Sequence, residues 1–164
     1  FLAVDGVSVL MTFLVPFDGS ALATAALDRA VQFGDVFDRP VVAVAVVPQG
    51  NAEYARDRGW IDADEPFDHE TIVTRLREQV NEHASEATFR DERVPRTARP
   101  GSIARELRRV ARAVGASMVF VGSDNAGRLV TSLSSVGGNV AADLTYDVVI
   151  VRHAEQLADA EAEA

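Results

Sequence analysis

Two short polar segments of the chain carry residue types that bind small ligands in proteins. The first is Asp18-Gly19-Ser20, and the second runs from Gly122 to Gly127. Glycine and asparagine tolerate positive φ, so backbone N–H groups in such loops are free to point at one anion. A carboxylate and serine hydroxyls add an acceptor and further donors. These two segments are therefore the candidate ligand-binding loops.

Each of these residues also has a simpler interpretation. Asp followed by Gly-Ser at the end of a strand is an ordinary combination for a turn and a helix cap, so Asp18 alone does not indicate a ligand. No histidine stands at motif spacing from Ser20, Ser123 or Ser135. A serine nucleophile activated by histidine is therefore poorly supported.

Metal and nucleic-acid sites find little support in the sequence. The acidic stretch Asp57–Asp68 lacks the residue order of a calcium-binding EF-hand. The three histidines form no HxxxH pair, so we expect them at the surface or half-buried. They are His69, His83 and His153. Four arginines on one predicted helix face more simply balance acidic neighbours than bind RNA or nucleotide. They are Arg105, Arg108, Arg109 and Arg112.

Composition excludes several classes of protein. The 164 residues fit one domain, and a net charge of −9 opposes binding to nucleic acid or to an anionic membrane. There is no cysteine, and all 16 basic residues are arginine, so thiolate and lysine chemistry are both excluded. An acidic chain without lysine favours adaptation to the salty cytoplasm of an extreme halophile, although a GC-rich genome would have a similar effect.

Continuous apolar runs predict strands buried on both faces, which is typical of a parallel sheet. Four runs are clear, and a weaker third strand is expected within Arg90–Arg99. The four are Thr12–Phe17, Pro40–Pro48, Met118–Val121 and Val148–Val151.

Apolar residues at helical spacing predict helices between these strands. The first covers Ala21–Phe33, with Ser20 as N-cap and Gly34 as its end, and Gln49–His69 is expected to be a surface loop. Further helices are predicted from Glu70 to about Thr88, from Ser102 as N-cap to Gly115 as its end, and from about Ser134 to Leu144.

The alternation of strands and helices predicts an α/β fold, a doubly wound five-stranded parallel sheet of the Rossmann-like kind with helices on both faces. Ligands of such sheets bind outside the carboxyl ends of the strands, where the strand order reverses. The loops after strands one, two and four are therefore the expected ligand-binding edge. Residues 1–10 are interpreted as an N-terminal extension, 11–153 as the domain and 154–164 as an acidic tail.

The segment Leu14 to Ser20, LVPFDGS, resembles the opening of the universal stress proteins. Gly101 with Ala104, Glu106 and Leu107 is similar to their third-helix entrance. The run GASMVFVGS from Gly115 to Ser123 resembles their strand-four signature. The resemblance extends from Met11 to Arg152 and implies the adenine-nucleotide alpha-hydrolase-like variant of the doubly wound fold.

The resemblance also implies a nucleotide site. In the nucleotide-binding branch of that family the aspartate after strand one binds adenine, backbone at the end of strand two contacts the base, and a glycine-rich loop surrounds the phosphates. By similarity these roles fall on Asp18, on Val46 and on the segment Gly122–Val136. The implied ligand is ATP or AMP, with Mg²⁺ if it is a triphosphate. The contact residues so implied are Pro16, Asp18, Val46, Val121, Gly122, Asn125, Gly127, Ser134, Ser135 and Val136.

The glycine-rich loop departs from the family pattern. Gly122 and Ser135 match, but Asn125 stands at the second glycine, Ser134 replaces the third, and the interval between them is one residue short. Asparagine is the commonest substitute for glycine in left-handed turns, so Asn125 is expected to keep the turn. The alternative is a degenerate loop that binds no nucleotide and only caps the sheet.

The sequence thus predicts a small, non-catalytic, cytoplasmic universal stress protein that forms a homodimer through Val148–Val151 and binds neither nucleic acid nor membrane. Residues 1–10 or the acidic tail would alternatively shield that strand edge. Two other functions stay open. One is a dimeric protein that engages partners without nucleotide, and the other is an adenine-nucleotide-dependent enzyme, whose Ser-Gly-Gly-x-Asp-Ser loop is missing here.

Overall fold

The computed structural model describes residues 11–126 and 146–154. Five parallel strands form one sheet in the order β3-β2-β1-β4-β5, which confirms the predicted doubly wound fold. The strands are β1 (Thr12–Pro16), β2 (Val41–Pro48), β3 (Thr88–Val94), β4 (Ala116–Gly122) and β5 (Asp147–Val151). The helices are α1 (Ala21–Phe37), α2 (Ala52–Asp57), α3 (His69–His83) and α4 (Pro100–Ala113).

Helices cover both faces of the sheet, which explains why the central strands are almost wholly apolar. On one face, Phe13 and Val15 of β1 pack with Leu27 of α1 and Leu76 of α3. On the other face, Leu14 packs in a separate cluster that includes residues of α4. Because successive side chains of a strand point to opposite faces, one strand contributes to both clusters.

The first helix begins where the sequence predicts but ends later than predicted. Ser20 is the N-cap as predicted, and its Oγ accepts a hydrogen bond from Ala23 N at 3.2 Å. The prediction that Gly34 ends the helix is wrong, because α1 continues to Phe37 and ends at Asp38, whose φ is +53°. Gly34 lies instead where a Cβ would be 2.8 Å from the carbonyl oxygen of Arg39.

The start of α4 is also corrected. Ser102 is not its N-cap, because the helix begins at Pro100, and Arg99 takes the cap position without a side-chain hydrogen bond. Proline suits this first turn because its missing N–H would have no helical partner there. Gly115 follows the helix with φ +64°, as expected of a residue that ends it.

The segment Gln49–His69 is not simply a surface loop. It contains α2, and its Trp60 and Ile61 are buried in the core beside α1 and α3. The helix after it, α3, begins at His69 and ends at His83. It does not reach the predicted Thr88, which is the first residue of β3. The third strand therefore begins before the predicted segment Arg90–Arg99, and it ends at Val94, so that it excludes Ala98.

Several expectations lie outside the described residues. They concern residues 1–10, the helix Ser134–Leu144 and most of the acidic tail. Among the helices of residues 11–126 and 146–154, none is both long and apolar enough to cross a bilayer.

Gly34 and Gly101 allow a matched test of packing in the described fold. A Cβ at Gly34 would meet the carbonyl oxygen of Arg39 at 2.8 Å, whereas one at Gly101 in α4 would meet nothing within 4 Å. We expect Gly34→Ala to lower the free energy of unfolding by about 1–3 kcal/mol. Gly101→Ala is expected to raise it by about 0.4–1 kcal/mol, because alanine restricts the unfolded chain. Urea denaturation measures the free energy of unfolding of both variants. Equal changes in the two variants would contradict the close packing at Gly34.

Candidate functional site

A cleft that is partly open to solvent lies at the carboxyl ends of β1, β2 and β4. This is the edge where the chain order reverses on either side of β1, as expected for a ligand site in a doubly wound sheet. Most of its wall is apolar, and polar side chains are confined to a few positions. The lining residues are Pro16, Phe17, Asp18, Val44, Val46, Tyr54, Arg58, Trp60, Ile103, Leu107, Val121 and Asn125.

Asp18 is the centre of the polar part of the cleft. Its Oδ1 accepts a hydrogen bond from Ser20 N at 3.0 Å, so the residue does form the ordinary turn before α1. Its Oδ2 accepts from Arg58 Nη1 and from Asn125 Nδ2, both at 3.1 Å. The carboxylate therefore both shapes a turn and joins three separate segments at the cleft.

Arg58 and Trp60 bring the α2–α3 connection to this edge of the sheet. Arg58 forms an ion pair with Asp18 in which the two side chains are only 18% and 19% exposed. The Arg58 guanidinium carbon lies 4.2 Å from the ring centre of Tyr54, within the range of a cation–π contact. Trp60 Nε1 donates a 2.7 Å hydrogen bond to the backbone oxygen of Asp18.

Opposing effects determine the ionisation of Asp18. Burial opposes the charged form, but hydrogen bonds from Ser20 and Asn125 and the positive charge of Arg58 outweigh it. The pKa of Asp18 consequently lies below its ordinary value of 3.8. At neutral pH the carboxyl group is ionised, and it serves as an acceptor of hydrogen bonds.

The structure brings together half of the contact residues that the sequence analysis names. Pro16, Asp18, Val46, Val121 and Asn125 all line the cleft. The other predicted contacts in the loop after β4, apart from Gly122, lie outside the described residues. They are Gly127, Ser134, Ser135 and Val136.

Gly122 and Asn125 behave differently from their family-based expectations. Gly122 ends β4 against α1, where a Cβ would be 2.8 Å from Leu22 Cβ, so close packing alone requires a glycine there. Asn125 does not adopt the expected left-handed conformation, because Asp38 is the one non-glycine residue with positive φ among those described. Asn125 instead has helical conformation, as have the other residues of 123–126, and its Nδ2 donates to Asp18.

Sequence reasoning missed five lining residues from two other segments. Tyr54, Arg58 and Trp60 come from Gln49–His69, which the sequence analysis interprets as a surface loop, and Ile103 and Leu107 come from the apolar stripe of α4. One signal was available for the first group. Trp60 is the single tryptophan of the chain and adjoins Ile61, and such an apolar pair is unusual in a solvated acidic loop.

The lowered pKa of Asp18 predicts a pH dependence of stability. A carboxyl group with a lower pKa in the folded state stabilises the fold above its unfolded pKa, and this contribution is lost as the pH falls through the folded pKa. We expect the free energy of unfolding to fall less from about pH 5 to about pH 2 in Asp18→Asn than in the wild type. The exposed Asp64→Asn variant should keep the wild-type pH profile in urea denaturation. Identical profiles for all three proteins would contradict the interaction.

Solved structures resemble this fold over most of its length. A universal stress protein whose crystal structure is a complex with cAMP is 28% identical, with a TM-score of 0.50, over 90% of this chain and 100% of the other. A protein of the same family from Burkholderia pseudomallei is 22% identical, with a TM-score of 0.54, over 90% and 99% of the two chains. The universal stress protein from Archaeoglobus fulgidus in complex with dAMP is 16% identical, with a TM-score of 0.53, over 88% and 99%. The last two support the fold alone.

A search of the curated proteins gave no match. The family model described as the universal stress protein family matches residues 10–152, which include β1, β5 and every strand and helix described between them. Together with the sheet order and the position of the cleft, this match shows that the chain belongs to the universal stress protein family.

Proposed function

We propose that this chain is a non-catalytic protein that binds an adenine nucleotide, ATP or AMP, in the cleft at the carboxyl ends of β1 and β4. The observation that carries the proposal is the composition of that cleft, whose wall is mostly apolar and has one cluster of polar side chains around Asp18. A related protein that is 28% identical was solved in complex with cAMP. That relative supports the class of ligand, an adenine nucleotide.

The apolar part of the cleft suits a flat heteroaromatic base. Val44 and Val46 of β2 and Ile103 and Leu107 of α4 line the apolar part of the cleft. Val46, Ile103 and Leu107 pack in one cluster, so a base would lie against that cluster. Burial of a base there is favourable in proportion to the apolar area removed from water. The polar groups of Asp18, Arg58 and Asn125 are then available to orient it.

The state of Asp18 favours binding over catalysis. Its carboxylate accepts hydrogen bonds from Ser20, Arg58 and Asn125, and its pKa is lowered. A general acid must hold a proton near the working pH, and a group with a depressed pKa does not. We therefore propose a binding role for Asp18 and not that of a general acid.

We further propose that the chain acts in the cytoplasm as a homodimer through β5. The two edges of the described sheet differ strongly in character. β3 carries the charged run Arg90-Asp91-Glu92-Arg93, a common protection of an edge strand, whereas β5 is almost wholly apolar and its Ile150 is 43% exposed. Antiparallel pairing of two β5 edges satisfies a twofold axis.

The nucleotide proposal predicts binding that depends on Asp18. We expect AMP or ATP, titrated in molar KCl by calorimetry, to bind the wild-type protein, and Asp18→Ala to bind at least about tenfold more weakly. Ser135→Ala tests the implied role of the loop beyond the described residues. Ligand at 100 times its Kd should also raise the stability by about 2.7 kcal/mol, which is visible as a shift in Tm.

The exposed Asp64→Ala variant is the control for a general effect of lost negative charge, and it should bind like the wild type. Absence of both heat and Tm shift with millimolar nucleotide would overturn the proposal and favour the degenerate loop that only caps the sheet. In that case Ser134→Gly and Asn125→Gly together test whether the family pattern restores binding.

The dimer proposal predicts that one charge on β5 separates the subunits. Ile150→Asp places two carboxylates near each other across the twofold axis, so sedimentation in molar KCl should show monomers. Arg93→Asp on the opposite edge strand is the matched control and should remain dimeric. A folded Ile150→Asp protein that sediments as a dimer would place the contact elsewhere. Removing salt should weaken the wild-type dimer, because two chains of charge −9 repel each other.

A further inference from the structure

The side chain of Arg58 takes up the polar part of the cleft. Its Nη1 donates a 3.1 Å hydrogen bond to Asp18 Oδ2, and its guanidinium carbon lies 4.2 Å from the ring centre of Tyr54. A guanidinium is planar, donates N–H hydrogen bonds and stacks on aromatic rings. A nucleobase that carries an amino group has the same three properties. Arg58 therefore makes two contacts that suit a bound base equally well.

The carboxylate of Asp18 has little acceptor capacity left for a ligand. A carboxylate accepts about four hydrogen bonds, two at each oxygen. Oδ2 already accepts from Arg58 and Asn125, and Oδ1 accepts from Ser20 N in the turn before α1. An amino group of a ligand that reaches Oδ2 therefore has to replace one of the two side chains.

Arg58 is the partner of Asp18 for which the structure offers another place. It also lines a second cleft, which is formed largely by residues of α3. The exposed carboxylates of Glu78 and Glu82 line this second cleft as well, and carboxylates are good acceptors for a guanidinium. The described lining of the second cleft does not include Asn125.

We infer that Arg58 is a specificity-determining residue that competes with the ligand for Asp18. A base with an exocyclic amino group replaces the guanidinium at Oδ2, and Arg58 moves toward the second cleft. Both side chains of the ion pair are mostly buried, so breaking the pair lowers the affinity for such a base. Asp18 is thus available to an amino group only in exchange for Arg58. This inference rests on the proposed function, because it assumes a nucleotide base in the cleft.

The test compares AMP with purine riboside monophosphate, which lacks the exocyclic amino group, by calorimetry in molar KCl. Arg58→Met keeps a long side chain but removes its charge and its N–H donors. We expect the Kd of AMP to fall about tenfold in this variant, because the amino group then meets an acceptor without a competitor. The Kd of the analogue should stay at its wild-type value, because the analogue has no amino group for Asp18.

Three further variants separate competition from other effects. Arg58→Gln is also uncharged and should tighten the binding of AMP. Arg58→Lys keeps a positive charge near Asp18 and should bind AMP about as well as the wild type. Arg56→Met removes a neighbouring exposed arginine, which donates to the backbone oxygen of Glu65, and it should leave both Kd values unchanged. Urea denaturation verifies that each variant is folded.

A crystal structure of the wild-type protein with AMP gives a readout that needs no variant. We expect the amino group of the base at Asp18 Oδ2 and the guanidinium of Arg58 displaced from it. A complex in which the ion pair of Arg58 and Asp18 is intact would overturn the competition and leave the nucleotide site in place.

The titrations distinguish failure of this inference from failure of the proposed function. If AMP binds the wild type and Arg58→Met tightens AMP and the analogue equally, or tightens neither, the competition is refuted and the nucleotide site stands. If AMP binds neither the wild type nor Arg58→Met, both proposals are refuted. Binding of AMP to Arg58→Met alone would support both.

Discussion

The cleft depends on one buried carboxylate that must be compensated. Asp18 lies directly after the central strand, and its side chain is about four-fifths buried, so its charge requires partners. Those partners are distant in the chain, since Arg58 is 40 residues away and Asn125 is 107 residues away. The same residue holds Trp60 through its backbone oxygen. Asp18 thus contacts both the α2–α3 connection and the segment after β4, and so helps to hold them at the cleft.

The sheet explains why this anion lies where a ligand is able to reach it. β1 is central, and from it the chain extends to β2 and β3 on one side and to β4 and β5 on the other. Because α1 covers one face and α4 the other, the carboxyl ends of β1 and β4 are left between two diverging layers. Several of the apolar residues there belong to β1, β2 and β4, so part of the apolar wall at this edge is a consequence of the sheet itself, and α4 and the α2–α3 connection supply the rest.

Sequence and structure agree where the signal is local. β1, β2 and β4 are predictable because burial on both faces demands mostly apolar residues. β5 is predictable because it is almost wholly apolar, although it lies at an edge and is partly exposed. Ser20 is predictable as a cap from its place before α1. β3 is harder, because an edge strand tolerates charges and loses that pattern. Arg58 and Asn125 were beyond reach as partners of Asp18, because their contacts join segments whose proximity only the folded sheet creates.

The charge arrangement of the cleft differs from that of the whole chain in a way that bears on binding. The molecule carries −9 overall, which disfavours approach of an anionic nucleotide, and dissolved salt screens that repulsion. In the cleft, however, Asp18 is matched by Arg58, and both side chains are mostly buried, so salt screens their pairing much less. Apolar contact of a ligand with Val46 and Leu107 would not be weakened by salt either. The proposed recognition of an uncharged base in this cleft is therefore expected to persist at salt concentrations that remove the long-range repulsion.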